Sequence, residues 1–165
     1  MTEFVVRTLH QPEYYIHVLL NPLPIYGLAA GLVALLAGVI SRSRAANICA
    51  LIVIMITAAS AWPVFEFGEA SYDIMYSRSD ETGDAWLSEH KARAERLIYC
   101  FYGLAVLAAL AILAPLKWPR TSAALAISVL GLGCVVLGMG GYIAYPAGKI
   151  RHSEFRTGPP PKQNP

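Results

Sequence analysis

Four runs of apolar residues, at about 16–40, 46–67, 97–116 and 123–145, constrain this chain more than any other feature. Each approaches or exceeds the roughly 20 residues that a helix needs to cross the hydrocarbon core of a bilayer. The expected fold is therefore all-α: an integral membrane four-helix bundle of two antiparallel hairpins, with a long loop between helices two and three. A mean hydropathy of +0.48, with 56% hydrophobic and only 15% charged residues, suits lipid better than an ordinary soluble domain.

This division predicts an extramembrane N-terminal segment at 1–15 and a four-helix transmembrane domain at 16–148, with its extramembrane loop at 68–96. A Pro-rich, disordered tail follows at 149–165, ending "TGPPPKQNP". The opening "MTEFVVRTLHQPEYY" lacks a basic n-region, and no small-residue cleavage site follows the first run, so the first helix is expected to persist. Cys49, Cys100 and Cys134 fall inside the spans at wide spacings that match no disulfide frame or metal knuckle, and read as small packing residues. No basic nucleic-acid-binding surface is indicated. No nucleophile with an adjacent base, phosphate loop or zinc-hydrolase spacing appears, which argues against a hydrolytic enzyme.

The short connections "SRSRAAN" and "KWPRTS" carry Arg42, Arg44, Lys117 and Arg120 and no acid, a density that marks them as cytoplasmic. The other side holds nine Lys and Arg together with all eleven acids, spread over far more chain. Density outweighs raw number here, so the termini and the long loop are expected to be extracytoplasmic, in a bacterial cytoplasmic membrane. Tyr14, Tyr15, Tyr26, Trp62, Trp118, Tyr142 and Tyr145 read as interfacial aromatic belts.

In two antiparallel hairpins, the start of helix one, the end of helix two, the start of helix three and the end of helix four share one membrane side. The polar residues collect there. In "DAWLSEHKARAERLIYCFYG", with Asp84 as N-cap, Trp86, His90, Ala94, Leu97 and Phe101 recur about one turn apart, which puts His90 on the inward stripe of a helix projecting above the bilayer. His17 opens helix one at a similar depth. Two facing imidazoles are what a b-type haem needs as axial ligands, and placement near helix N-termini would favour the neutral, ligating ring. Two small-residue stripes, Gly27, Gly31, Ala34 and Gly38 in helix one and Gly131, Cys134, Gly138 and Gly141 in helix four, could leave a slot for a flat macrocycle. Two plainer readings stand beside this: such stripes also serve as close helix contacts, and a histidine at the headgroup boundary can be simply interfacial. His10 and His152 are weaker candidates. Glu66, Glu69 and Asp73 read as a solvated acidic rim that could also bind a metal or dock a basic partner.

The segment "HVLLNPLPI", His17 to Ile25, resembles the opening of a family of small bacterial predicted membrane proteins of unknown function, whose first helix begins with an H-P-x-x-V-H-F-P-I motif. Counterparts follow in "TAASAWPVFEFGE", in His90, and in "GGYIAYPAG", which resembles the family's G-G-x-x-x-Y-x-x-G ending. Val18 replaces the family's first proline and Pro22 its second histidine, so only His17 and His90 carry over. The resemblance implies a four-helix membrane fold associated with electron-transfer or metal-handling systems.

Two functions are therefore expected to compete. One is an electron-transfer subunit of a respiratory or photosynthetic complex, holding haem b between His17 and His90 and meeting quinone or a c-type cytochrome. The other is a cofactor-free structural or assembly subunit bound to other membrane subunits. A transporter is disfavoured because no ionisable residue lies in the middle of a span.

Overall fold

A computed structural model describes residues 11–161. Four helices in it are long and apolar enough to cross a membrane: Pro12–Ile40, Arg44–Ala70, Glu81–Lys117 and Pro119–Arg151. They pack as the expected all-α bundle of two hairpins, and no strand occurs among the described residues. Large apolar side chains point outward as well as inward: Val33, Ile56, Val106, Leu113 and Val135 are exposed, while Leu28, Leu35, Ile54, Leu104, Val129 and Val136 fill the core. Apolar character on every side of a helix is the pattern of a membrane span.

Lipid tails give helices no apolar reason to associate, so close packing at small residues must hold them together. A Cβ added at Gly27 would lie 2.5 Å from Thr57, one at Gly31 2.7 Å from Ile54, and one at Gly38 would strike Asn47. The glycine stripe of helix one is thus closed against helix two, and no flat group fits there. On the fourth helix, Gly133 packs on Leu32 and Gly140 on Phe101 and Ile25. Gly131, Gly138 and Gly141 meet nothing within 4 Å, and Cys134 is exposed, so the stripe expected to line a slot faces outward. Cys49 is also exposed, which removes it and Cys134 from the internal packing role expected of them.

The first helix is interrupted where Pro22 and Pro24 withhold their N–H groups: Pro12–Leu20 gives way to a π-helical turn, Leu23–Gly27, before the helix resumes at Leu28–Ile40. The connection read as 68–96 is largely helical, because its Glu, Lys, Arg and Ala residues are good helix formers. Helix two continues to Ala70, a short helix spans Tyr72–Tyr76, and helix three begins at Glu81. Its N-cap is Asp80, whose carboxylate accepts the Gly83 N–H at 2.6 Å, rather than Asp84. Helix four likewise outlasts its apolar run and reaches Arg151. Lys149 holds that extension: only 4% exposed, it donates to the Tyr145 hydroxyl at 2.8 Å and sits over the Trp86 and Tyr145 rings. Arg156 then turns back, donating to the Lys149 and Ile150 carbonyls and pairing with Asp80 at 2.7 Å. The first residues of the expected tail, 149–156, are therefore ordered against the bundle.

Candidate functional site

At the end of the bundle that holds both sequence extensions, a cavity of about 350 Å³ opens between the helices. His17 and His90 both line it, as the antiparallel arrangement predicts. Its walls are mainly apolar, with Ile25, Val64, Phe65, Ile98, Phe101 and Ile143 among them; Glu69, Lys91, Arg151 and His152 stand among its polar groups.

Each imidazole is held by a main-chain carbonyl of another helix. His17 Nδ1 lies 2.8 Å from the Val64 carbonyl oxygen. A carbonyl only accepts, so Nδ1 carries the proton, and in the neutral ring the lone pair sits on Nε2. This contact depends on Gly68, one helical turn after Val64. A Cβ there would lie 2.9 Å from His17 Cε1 and 3.0 Å from Nδ1.

His90 makes the same bond from the other side, Nδ1 to the Ile143 carbonyl at 2.8 Å. Its neighbour one turn on, Arg93, donates to the adjacent Tyr142 carbonyl at 2.8 Å. Pro146 explains why that oxygen needs a partner: four residues later in the helix, it has no N–H to offer Tyr142. Arg93 is fixed in turn by Glu89 at 2.7 Å and lies over the Tyr142 ring. Among the described residues, no hydrogen bond engages the Nε2 atom of either histidine.

A histidine that binds a metal usually donates its other ring N–H to a carbonyl or carboxylate, which sets tautomer and direction. Both rings have that arrangement, and the cavity volume lies within the range of ligand pockets. The expected dipole effect applies to neither ring, however: His90 lies more than two turns inside a helix that starts at Glu81, and His17 does not open helix one but stands in the last turn of Pro12–Leu20. Among the described residues no group of three or more His, Cys, Asp or Glu could hold a metal ion, so any iron here would rest on the two imidazoles and the group that carries it.

Glu66, Glu69 and Asp73 are all exposed on this end of the bundle, as an acidic rim requires. Glu69 is engaged by Lys91 at 2.7 Å, which also leaves the lysine over the Tyr72 ring. His152, rated low from sequence, reaches the cavity edge and pairs with Glu154 at 2.9 Å. His10 lies outside the described residues. The two carbonyl acceptors and Arg93 were not anticipated, although Gly68 and Pro146 signalled exposed carbonyls nearby. No family model, curated protein or solved structure matches this chain, so its likeness to the four-helix family rests on the short motifs quoted above.

Proposed function

We propose that this protein is an integral membrane subunit of a respiratory or photosynthetic electron-transfer complex, with one b-type haem held between His17 and His90. The observation that carries the reading is the matched pair of imidazoles: two rings on different helices, each with Nδ1 tied to a carbonyl, opening on one cavity. The donor set fits the group. Two nitrogens would suffice for its iron, the walls are apolar, and Arg151 would offer positive charge to its carboxylates.

Bound there, the haem would supply one-electron exchange between ferric and ferrous iron. Val64 and Ile143 hold the two ligands in direction, Gly68 leaves room for the first, and Phe65, Ile98 and Phe101 keep bulk water from the centre of the cavity. The acidic rim of Glu66, Glu69 and Asp73 would receive a basic redox partner such as a c-type cytochrome, speeding encounter more than it tightens binding. On the positive-inside tendency this end faces away from the cytoplasm.

A visible spectrum of the protein purified from its own membranes, with a pyridine haemochrome assay, tests the proposal. A Soret band that weakens and shifts in His90→Ala is expected; no chromophore, or haem content and spectrum both unchanged in that variant, would refute it. The outward face of Gly131, Gly138 and Gly141 supports a second reading, a cofactor-free structural or assembly subunit whose helix four lies against another membrane protein. Stable co-purification with partner subunits and no chromophore would favour it.

A further inference from the structure

The opposite end of the bundle holds a second cavity, of about 330 Å³, between the turns of the two hairpins. Arg42, Arg44 and Arg120 line it, and Asn47 and Ser122 complete its polar side. No acid occurs in either connection. Among the described residues none of the three guanidinium groups forms an ion pair or a side-chain hydrogen bond. Three cations are thus brought to one concavity with nothing to neutralise them.

The local backbone adds to this. Arg42 adopts φ 52°, a left-handed conformation uncommon outside glycine, in the turn between helices one and two. Asn47 buries its Oδ1 without a partner, beside Gly38, so its amide nitrogen is the end of the carboxamide that solvent reaches. Helix four starts at the same cavity directly after the turn Pro119–Thr121, and the Ser122 hydroxyl there makes no hydrogen bond among the described residues. Arginine forks, an amide N–H₂ and a hydroxyl are all donors. They match a tetrahedral oxyanion. Trp118, exposed beside the cavity with Lys117 over its ring, has the character of a residue at the headgroup level.

We infer that this basic cavity binds a phosphate group, as carried by an anionic phospholipid headgroup or by free phosphate. The inference is independent of the haem proposal and concerns the other end of the molecule. It is tested with the full-length protein in nanodiscs of phosphatidylcholine containing one-third phosphatidylglycerol. After transfer to neutral detergent, retained lipids are counted by native mass spectrometry; a parallel arm adds inorganic phosphate to delipidated protein and reads thermal stability.

Phosphatidylglycerol should be retained in preference to phosphatidylcholine. Arg44→Gln with Arg120→Gln should weaken that preference by roughly 20- to 30-fold, from about fivefold per arginine near a membrane surface, while Arg44→Lys with Arg120→Lys keeps most of it. Arg78→Gln with Arg96→Gln, at the other end, should leave it unchanged. Retained lipid with no response to phosphate identifies a headgroup site. Stabilisation of wild type by phosphate, lost in the double glutamine variant, identifies free phosphate as the ligand. Equal retention of both lipids with no response to phosphate overturns the inference, as does a preference that the double glutamine variant leaves intact.

Discussion

Replacing Gly68 by alanine should separate the stability of the bundle from the aim of His17. The new Cβ would stand 2.9 Å from Cε1 and 3.0 Å from Nδ1 of the imidazole. Relief to ordinary contact moves the ring by about half an ångström, away from the Val64 carbonyl that it now meets at 2.8 Å. Loss of that bond costs roughly 0.5–1.5 kcal/mol, while alanine in a helix recovers about 0.8–1.0 kcal/mol over glycine. Net stability should therefore stay within about 1 kcal/mol of wild type by this balance. Ligand aim should not survive as well: disturbing the partner of a metal-bound histidine typically lowers affinity about 10- to 100-fold. Haemin titration in detergent, followed in the Soret region, reads the affinity, and thermal unfolding of the same samples reads the fold. Gly103→Ala is the control, because nothing lies within 4 Å of a Cβ at that site. A Gly68→Ala protein that unfolds like wild type and binds haemin equally well would refute the argument that Gly68 and Val64 set the direction of His17.

Gly38→Ala should loosen the first hairpin by about 1–3 kcal/mol through overpacking, since its Cβ meets main-chain atoms of Ala46 and Asn47; Gly141→Ala, facing open space, should not, and equal melting of the two would contradict the packing described. Arg93→Met should cost about 0.5–1.5 kcal/mol through loss of the bond to the Tyr142 carbonyl, and adding Pro146→Ala should recover part of the loss by restoring an N–H; a strictly additive thermal-unfolding cycle would count against that link. The Asp80 carboxyl is held below its ordinary range, first by the hydrogen bond from Arg156 and then by the Gly83 N–H. A depressed folded value means that its contribution is complete above the unfolded pKa of about 3.9 and fades as pH falls through the lower folded value. Protection of the 152–157 amides, taken relative to the unstructured exchange rate at the same pH, should fall only in that acid range, and Asp80→Asn should lose protection already at neutral pH; a neutral-pH rate unchanged by that variant would disprove the clasp.

Hydropathy and connectivity made the four spans and the placement of His17 and His90 on one cavity legible, because a helix crossing lipid has few alternatives and antiparallel hairpins fix which ends adjoin. Other features depended on choices that periodicity leaves open. Gly131, Gly138 and Gly141 share a stripe, yet Gly133 and Gly140, seven residues apart, are the ones that touch neighbours. Asp84 stood as the cap of helix three in the sequence, whereas Asp80 caps it, its carboxylate accepting the Gly83 N–H and pairing with Arg156 from near the far end of the chain. The carbonyl partners of both histidines were hidden because a backbone oxygen has no letter in a sequence. Only Gly68 and Pro146, which open a helix surface or remove a donor, hinted at them.

The central claim, that His17 and His90 ligate one iron from opposite sides, is tested most directly by coordination state. Wild-type protein titrated with haemin should give a six-coordinate, low-spin spectrum; His17→Ala and His90→Ala should each give a five-coordinate, high-spin one that added imidazole returns to low spin. Haemin uptake with unchanged low-spin spectra in either variant, or no uptake by wild type, would contradict it.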